Sequence, residues 1–232
     1  MTMQTTGWNC RLQMRSFLSL AVFAALWAAL VWQPAGAAEP PARDAKTFIG
    51  QVADRAVNQI GKAQVSEEER AARVRTLMQD SFDIPAVARF VTGRVGRAAD
   101  EGSRKEFEQV FLEYQVYTWS KRFKDYGGQT LEVGSAQPPD EGGVVSVDSK
   151  LVDPAGKPPV EVTWRVRPEE KGFKAIDIIV EGVSMALTMQ SDYRSLLQRQ
   201  GLPGLTTALK EKVEAIKSGK VDVPPLKAST AK

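Results

Sequence analysis

The feature that most constrains this chain is a change of period at Gly127-Gly128. Before that pair, apolar residues recur every three or four positions; after it they recur every second position, with glycine and proline between the runs. Thr130 to Ser135, Val145 to Leu151, Val160 to Val166 and Lys174 to Val180 alternate as strands do. The connections are short turns: Pro138 to Gly143, Asp153-Pro154-Ala155-Gly156, and Pro168 to Gly172. Parallel strands need crossovers of a dozen residues or more, so short turns impose an antiparallel meander. Helical periodicity precedes and follows these strands. The fold class is therefore α+β, with helices packed over a curved antiparallel sheet of about four strands. A cone-shaped sheet over a long helix can leave a cavity between the layers.

The helical part divides at its own signals. Phe48, Ile49, Val52, Ala56, Val57 and Ile60 form a stripe that ends near Gly61. Ser66 and Glu69 have capping-box spacing and open a helix through Val74, Leu77 and Met78. Asp83 and Pro85 open a short helix through Phe90 and Val91, ended by Gly93. Ser103 and Glu106 repeat the capping-box spacing and open the longest helix, to about Tyr126, with the stripe Phe107, Val110, Phe111, Tyr114 and Tyr117.

The last strand reads as Lys174, Ile176, Ile178 and Val180 on one face against Ala175, Asp177, Ile179 and Glu181 on the other. Gly182 interrupts it. An oily linker, Val183 to Met189, leads to a polar segment beginning at Gln190. Tyr193 to Gln200 reads as a helix, Gly201-Leu202-Pro203-Gly204 as a break, and Leu205 to Ile216 as a last amphipathic helix. Nothing repeats internally.

Composition closes off whole classes of chemistry. The chain of 232 residues has no histidine, which excludes His-dependent triads and His-ligated metal sites. Its one cysteine, Cys10, precedes an apolar run from Phe17 to Trp32. Arg11 and Arg15 before that run, and Ala35-Gly36-Ala37 after it, read as a secretory signal peptide spanning 1–38. At about 1.5 Å per residue the run reaches about 24 Å, short of a hydrocarbon core of about 30 Å. Cleavage near Ala37 or Ala38 would leave a chain without disulfide or thiol chemistry, roughly 190 residues long and large enough to be stable from its core alone. That chain is nearly neutral and has no basic cluster for nucleic acid. Residues 39–217 then form a single α+β domain, and 218–232, rich in Lys, Pro and small polar residues, a disordered tail. Lys210, Lys212, Arg94 and Arg97 read as solvated surface.

Several stretches resemble one family. Phe82-Asp83, Ala88-Arg89-Phe90-Val91 with Gly93-Arg94, the aromatics Phe107, Phe111 and Tyr114, and above all Asp177 to Ser184 followed by Ser191 and Tyr193 are similar to the periplasmic phospholipid-binding proteins of the MlaC type, also called toluene-tolerance auxiliary proteins. The likeness runs from roughly Thr47 to Val213. It implies a soluble periplasmic carrier of phospholipid acting in outer-membrane lipid asymmetry, without enzymatic activity, cofactor or metal. The implied partners are an inner-membrane ABC transporter complex bearing a substrate-binding ring and an outer-membrane lipoprotein–porin complex. A related branch associated with hopanoid lipid clusters has a similar layout.

A carrier of this kind must shield its cargo. Each methylene is worth about 0.8 kcal/mol, so two chains with roughly thirty methylenes represent about 24 kcal/mol to be kept from water. The expected lining is Phe82, Val87, Phe90 and Val91 from the short helix; Phe107, Phe111 and Tyr114 from the long one; Val145, Val147, Val162, Trp164, Ile178 and Val180 from the sheet; and Val183, Met185 and Leu187 at the mouth. Methionine adapts to varied apolar partners, which suits a mouth. Two rivals remain at this stage. One is an exported hydrolase using acids such as Asp148, Asp153, Glu161, Asp177 or Glu181. The other is an interaction module with a filled core and no ligand.

Overall fold

The computed structural model describes residues 41–223. The expected leader and residues 224–232 of the expected tail lie outside the described residues. Helix α1 is Pro41–Arg55, continued by a π-helical turn, Ala56–Gly61. Helix α2 is Glu67–Ser81, α3 is Ile84–Ala98 and α4 is Glu101–Lys124. Strands β1 (Thr130–Ala136), β2 (Val145–Val152), β3 (Val160–Glu169), β4 (Gly172–Val180) and the two-residue β5 (Val183–Ser184) follow, and α5 is Met185–Lys217.

The helix starts follow local chemistry. Ser66 Oγ accepts from Glu69 N at 3.1 Å, but the Glu69 carboxylate turns to Arg73 at 2.8 Å instead of completing the reciprocal half of a capping box. Asp83 caps α3 by accepting from Ala86 N at 2.9 Å. For α4 the expected start at Ser103 is corrected. Asp100 is the cap, accepting Ser103 N at 2.9 Å and Ser103 Oγ at 2.6 Å, so Ser103 lies inside the first turn. Helix α3 bends at Gly93 (φ 56°, ψ −130°) and continues to Ala98 instead of ending there. Gln190 Nε2 donates to the Phe90 carbonyl beside the bend at 2.7 Å.

The sheet is antiparallel throughout, in the order β1-β2-β3-β4-β5, as hairpin-length turns require. One irregularity shapes the molecule. Arg165 pairs with Asp177 and Val166 with Ala175, so Ile176 is an extra residue bulged out of β4. A bulge reverses the alternation. Directly opposed residues share a face, so Val162, Trp164 and Val166 stand with Val180, Ile178 and Ala175. The expected face Lys174, Ile176, Ile178 and Val180 is thereby split, with its first half turned away from its second.

Three apolar clusters hold the layers together. Ala45 and Ile49 of α1 pack onto Val145, Val147, Val166 and Ala175 of the sheet. Val116 of α4 joins Val52, Ile60 and the inner face of α2. Phe107, Val110 and Phe111 of α4 join Val87 and Val91 of α3 and Tyr193, Leu197, Leu202, Leu205 and Leu209 of α5. Helix α4 is thus buried along two sides, which explains why its apolar residues exceed a single stripe.

Candidate functional site

A cavity of about 320 Å³ opens where these clusters meet, between α4, both halves of α5, the start of α3 and strand β4. Its wall is mostly apolar: Phe82, Ile84, Val87, Phe111, Ile176, Ile178, Met185, Met189, Leu205 and Leu209 are among the residues that face it. Ile176, Asp177 and Ile178 all line it, although they are consecutive. A regular strand sends neighbours to opposite faces, so the bulge at Ile176 is what lets all three reach one space.

Asp177 then sets the direction of α5. Its carboxylate accepts from Ser184 Oγ at 2.5 Å, from Ile178 N at 2.8 Å and from Ala186 N at 3.0 Å. Ser184 Oγ in turn accepts from Leu187 N at 3.0 Å as the helix cap. This places Met185 and Met189 on the cavity wall. On the opposite flank, Phe82 forms a parallel bridge with Ala175, Asp83 N donates to the Ala175 carbonyl at 3.0 Å, and Arg167 ion-pairs with the Asp83 carboxylate. Both flanks of the cavity are therefore pinned to the same few residues of β4.

The sequence-predicted lining separates into groups. Phe82, Val87, Phe111, Tyr114, Ile178 and Met185 face the cavity. Val91 and Phe107 lie in the α3–α4–α5 cluster. Val145 and Val147 lie under α1, with Trp164 packed beside them. The Trp164 indole donates to Ser149 Oγ at 3.1 Å. Val162 and Val180 are paired across β3 and β4 and buried. Phe90, Val183 and Leu187 are 45%, 36% and 56% exposed. Val145 and Val147, expected in the cavity lining, are instead covered by Ala45 and Ile49 of α1.

Residues that periodicity did not single out complete the wall. They include Gln115, Thr118, Trp119 and Arg122 of α4, and Ala208 and Lys212 of the second half of α5. Their signal was available: Phe111, Gln115, Thr118 and Arg122 are four, three and four residues apart, one helical face. Burial lowers the Arg122 guanidinium pKa, and the group lies 4.9 Å from the centre of the Trp119 ring. Burial, with Tyr114 and Asp192 adding to it, pushes the Tyr193 phenol well above its ordinary value, so it stays neutral. Lys212, expected as solvated surface, is exposed and also borders the cavity, with Nζ 5.9 Å from the Tyr114 ring centre.

Four of the five acids considered for catalysis, Asp148, Asp153, Asp177 and Glu181, hold structure. Asp148 accepts from Thr163 Oγ1 at 2.9 Å and Ser135 Oγ at 3.0 Å, and Asp153 from Ala155 N at 2.9 Å and Lys157 at 3.1 Å. Glu181, at φ 49°, accepts from Glu161 N at 2.6 Å. None of these is a free pair facing across a cleft. A second surface feature lies beside the bend of α3, where Arg94 and Arg97 are joined by Arg194 of α5 in a notch whose wall contains no acid.

A family model described as MlaC protein matches residues 48–211, which span the second half of α1, helices α2 to α4, the whole sheet and most of α5. The chain belongs to the MlaC family. The fold agrees with a solved relative: the phospholipid-binding protein from Ralstonia solanacearum, determined in complex with a phospholipid, superposes with a TM-score of 0.65 at 18% identity, covering 75% of this chain and 99% of that one. Within this MlaC-family chain, the matched segment contains every described residue of the cavity wall except Lys212.

Proposed function

We propose that this chain is a periplasmic phospholipid carrier that moves lipid between the inner and outer membranes within an Mla-type system. The observation that carries the reading is the apolar cavity between α4, α5 and the bulged strand β4, in a chain of the MlaC family. Its wall supplies the water-free surface that acyl chains require. The structural likeness to a protein solved with a phospholipid supports the same cargo. Asp148, Asp153, Asp177 and Glu181 are engaged as hydrogen-bond acceptors, which favours carriage over turnover.

The size of the cavity bears on how cargo is released. At about 320 Å³ it sits at the low end of the roughly 300–1,000 Å³ of small-molecule sites, so two acyl chains require the walls to part. A carrier that closes so tightly on its cargo releases it when a partner opens it. The partners we propose are an inner-membrane ABC transporter complex with a substrate-binding ring and an outer-membrane lipoprotein–porin complex. The acid-free notch of Arg94, Arg97 and Arg194 suits an acidic docking surface on either.

The test is extraction of the purified protein with organic solvent followed by mass spectrometry. Phospholipid at near one molecule per protein is expected; lipid-free protein would overturn the reading and favour a ligand-free interaction module. Ala208→Trp, which projects an indole into the cavity, is expected to lose most of that lipid while the far-ultraviolet circular dichroism is unchanged.

A further inference from the structure

Among the described residues, four charged side chains border the cavity: Asp177, Asp192, Arg122 and Lys212. Asp177 is engaged by Ser184 Oγ, Ile178 N and Ala186 N, and Arg122 lies against the Trp119 ring. Asp192 and Lys212 stand differently. Both are exposed on the wall, and neither their carboxylate nor their ammonium has an ion pair or a hydrogen bond among the described residues, including with each other.

The bend in α5 is what brings them to one cavity. Twenty residues separate them, which is about 30 Å on a straight helix. At Gly201 (φ 65°, ψ −169°) the helix turns, so its first half presents Asp192 and its second half Lys212 to the same wall. Two phenols link the pair. Lys212 Nζ is 5.9 Å from the Tyr114 ring centre, and burial, then Tyr114 and the Asp192 charge, raise the Tyr193 phenol. The wall thus passes from a cation, through two neutral aromatics, to an anion. Unpaired charges of opposite sign held apart on one wall are complementary to a ligand that carries both signs.

We propose that these two residues read the lipid headgroup, with Lys212 meeting the phosphate and Asp192 the primary ammonium of a zwitterionic phospholipid of the ethanolamine type. The acyl chains then occupy the apolar space between Phe111, Ile178 and Leu209, and Arg122 adds a second cation to the wall. This inference rests on the carrier reading and adds the headgroup class of the cargo. Exposed charge pairs contribute little each, so the preference expected is about three-fold and not orders of magnitude. Phosphatidylglycerol is the informative competitor. It shares the phosphate but ends in neutral hydroxyls, so Asp192 acts only on the difference between the two lipids.

The experiment exchanges the purified protein against equimolar phosphatidylethanolamine and phosphatidylglycerol of identical chains, dispersed in neutral detergent, and reads the retained ratio by mass spectrometry. Wild type is expected to retain the ethanolamine lipid about three-fold over the glycerol lipid, and Asp192→Asn to bring the ratio near one at unchanged total lipid. Glu211→Gln removes the same charge beside Lys212 but outside the described wall, and is expected to keep the wild-type ratio. With diacylglycerol as a third equal component, Lys212→Gln is expected to lower both phospholipids about three-fold against it. Equal retention by wild type, or a preference undiminished in Asp192→Asn, overturns the inference and leaves the carrier reading intact. A shift in Glu211→Gln as large as that in Asp192→Asn overturns it too, because the field of the whole surface would then suffice. An unchanged diacylglycerol share in Lys212→Gln overturns the phosphate assignment. Retention of no lipid by wild type overturns the carrier reading itself.

Discussion

Asp177 joins strand, turn and helix through a single carboxylate. It takes Ser184 Oγ, Ile178 N and Ala186 N, so it fixes the end of β4, the two-residue hairpin and the first turn of α5 together. Hydrogen bonds to a charged group contribute about 1.5–3 kcal/mol each at most, and the losses overlap. Asp177→Ala is expected to lower stability by about 2–3 kcal/mol, read as a fall in urea midpoint at constant slope. Ser184→Ala removes the cap and one of these partners and should cost about 1 kcal/mol by the same measurement. Glu181 works differently. Its backbone sits in the left-handed region at φ 49°, where its carboxylate reaches the amide of Glu161. The two acids that stand out at the end of β4 are thus both structural, which their positions in the sequence alone could not decide.

At the scale of elements, α5 is the part of the fold that differs most from expectation. It begins at Met185, eight residues before the predicted start at Tyr193. The run Val183, Met185, Leu187 and Met189 has a period of two and imitates a strand, while Met185, Met189 and Tyr193 fit a helix face equally well. The tie is broken by Asp177, which lies outside the run. The expected break at Gly201 is a kink instead, with φ 65° and ψ −169°, a region essentially reserved for glycine. Gly201→Ala should therefore cost about 1–3 kcal/mol, measured by thermal or urea unfolding. Trp119 offers an optical view of the neighbouring wall. With Trp164→Phe it becomes the sole tryptophan of residues 41–223, and phospholipid with brominated acyl chains is expected to quench its emission more than unlabelled lipid.

Across the whole molecule, carboxylates favour neutral over acidic conditions. Hydrogen bonds from Lys124 and Lys121 hold the Glu67 carboxyl below its ordinary 4.5, and backbone amides of Val144 and Ala155 hold Asp140 and Asp153 below 3.8. A group with a depressed folded pKa stabilises fully above its unfolded value and loses that contribution as pH falls through the folded one. Unfolding midpoints should be flat from about pH 6 to 8 and decline below about pH 4.5, a profile checked by urea titration at each pH. The strands were readable because each hairpin carries its own turn residues, and the helices because caps and stripes are local. The wall of the cavity was half readable. Phe111 and Tyr114 announced themselves as aromatics, but the covering of Val145 and Val147 by α1 depends on residues about a hundred positions away. The bulge at Ile176 was invisible, since Ala175-Ile176-Asp177-Ile178 alternates without a flaw and only pairing with β3 exposes the extra residue.

That bulge also has a consequence in time. Asp177 stands opposite Arg165 in the β3–β4 hairpin and also holds Ser184 and Ala186, so the strand register and the first turn of α5 share one carboxylate. That hairpin is local, with Glu169 paired to Gly172, and forms early. Helix α5, by contrast, docks on residues of α3 and α4 roughly a hundred positions away, and such contacts are slow because loop closure precedes any reward. The order of assembly would then be sheet, then the start of α5, and the cavity would come into existence last, sealed by the element that lines it. On this order Asp177→Ala changes the refolding rate little and accelerates unfolding, because interactions made after the transition state appear mainly in the unfolding limb.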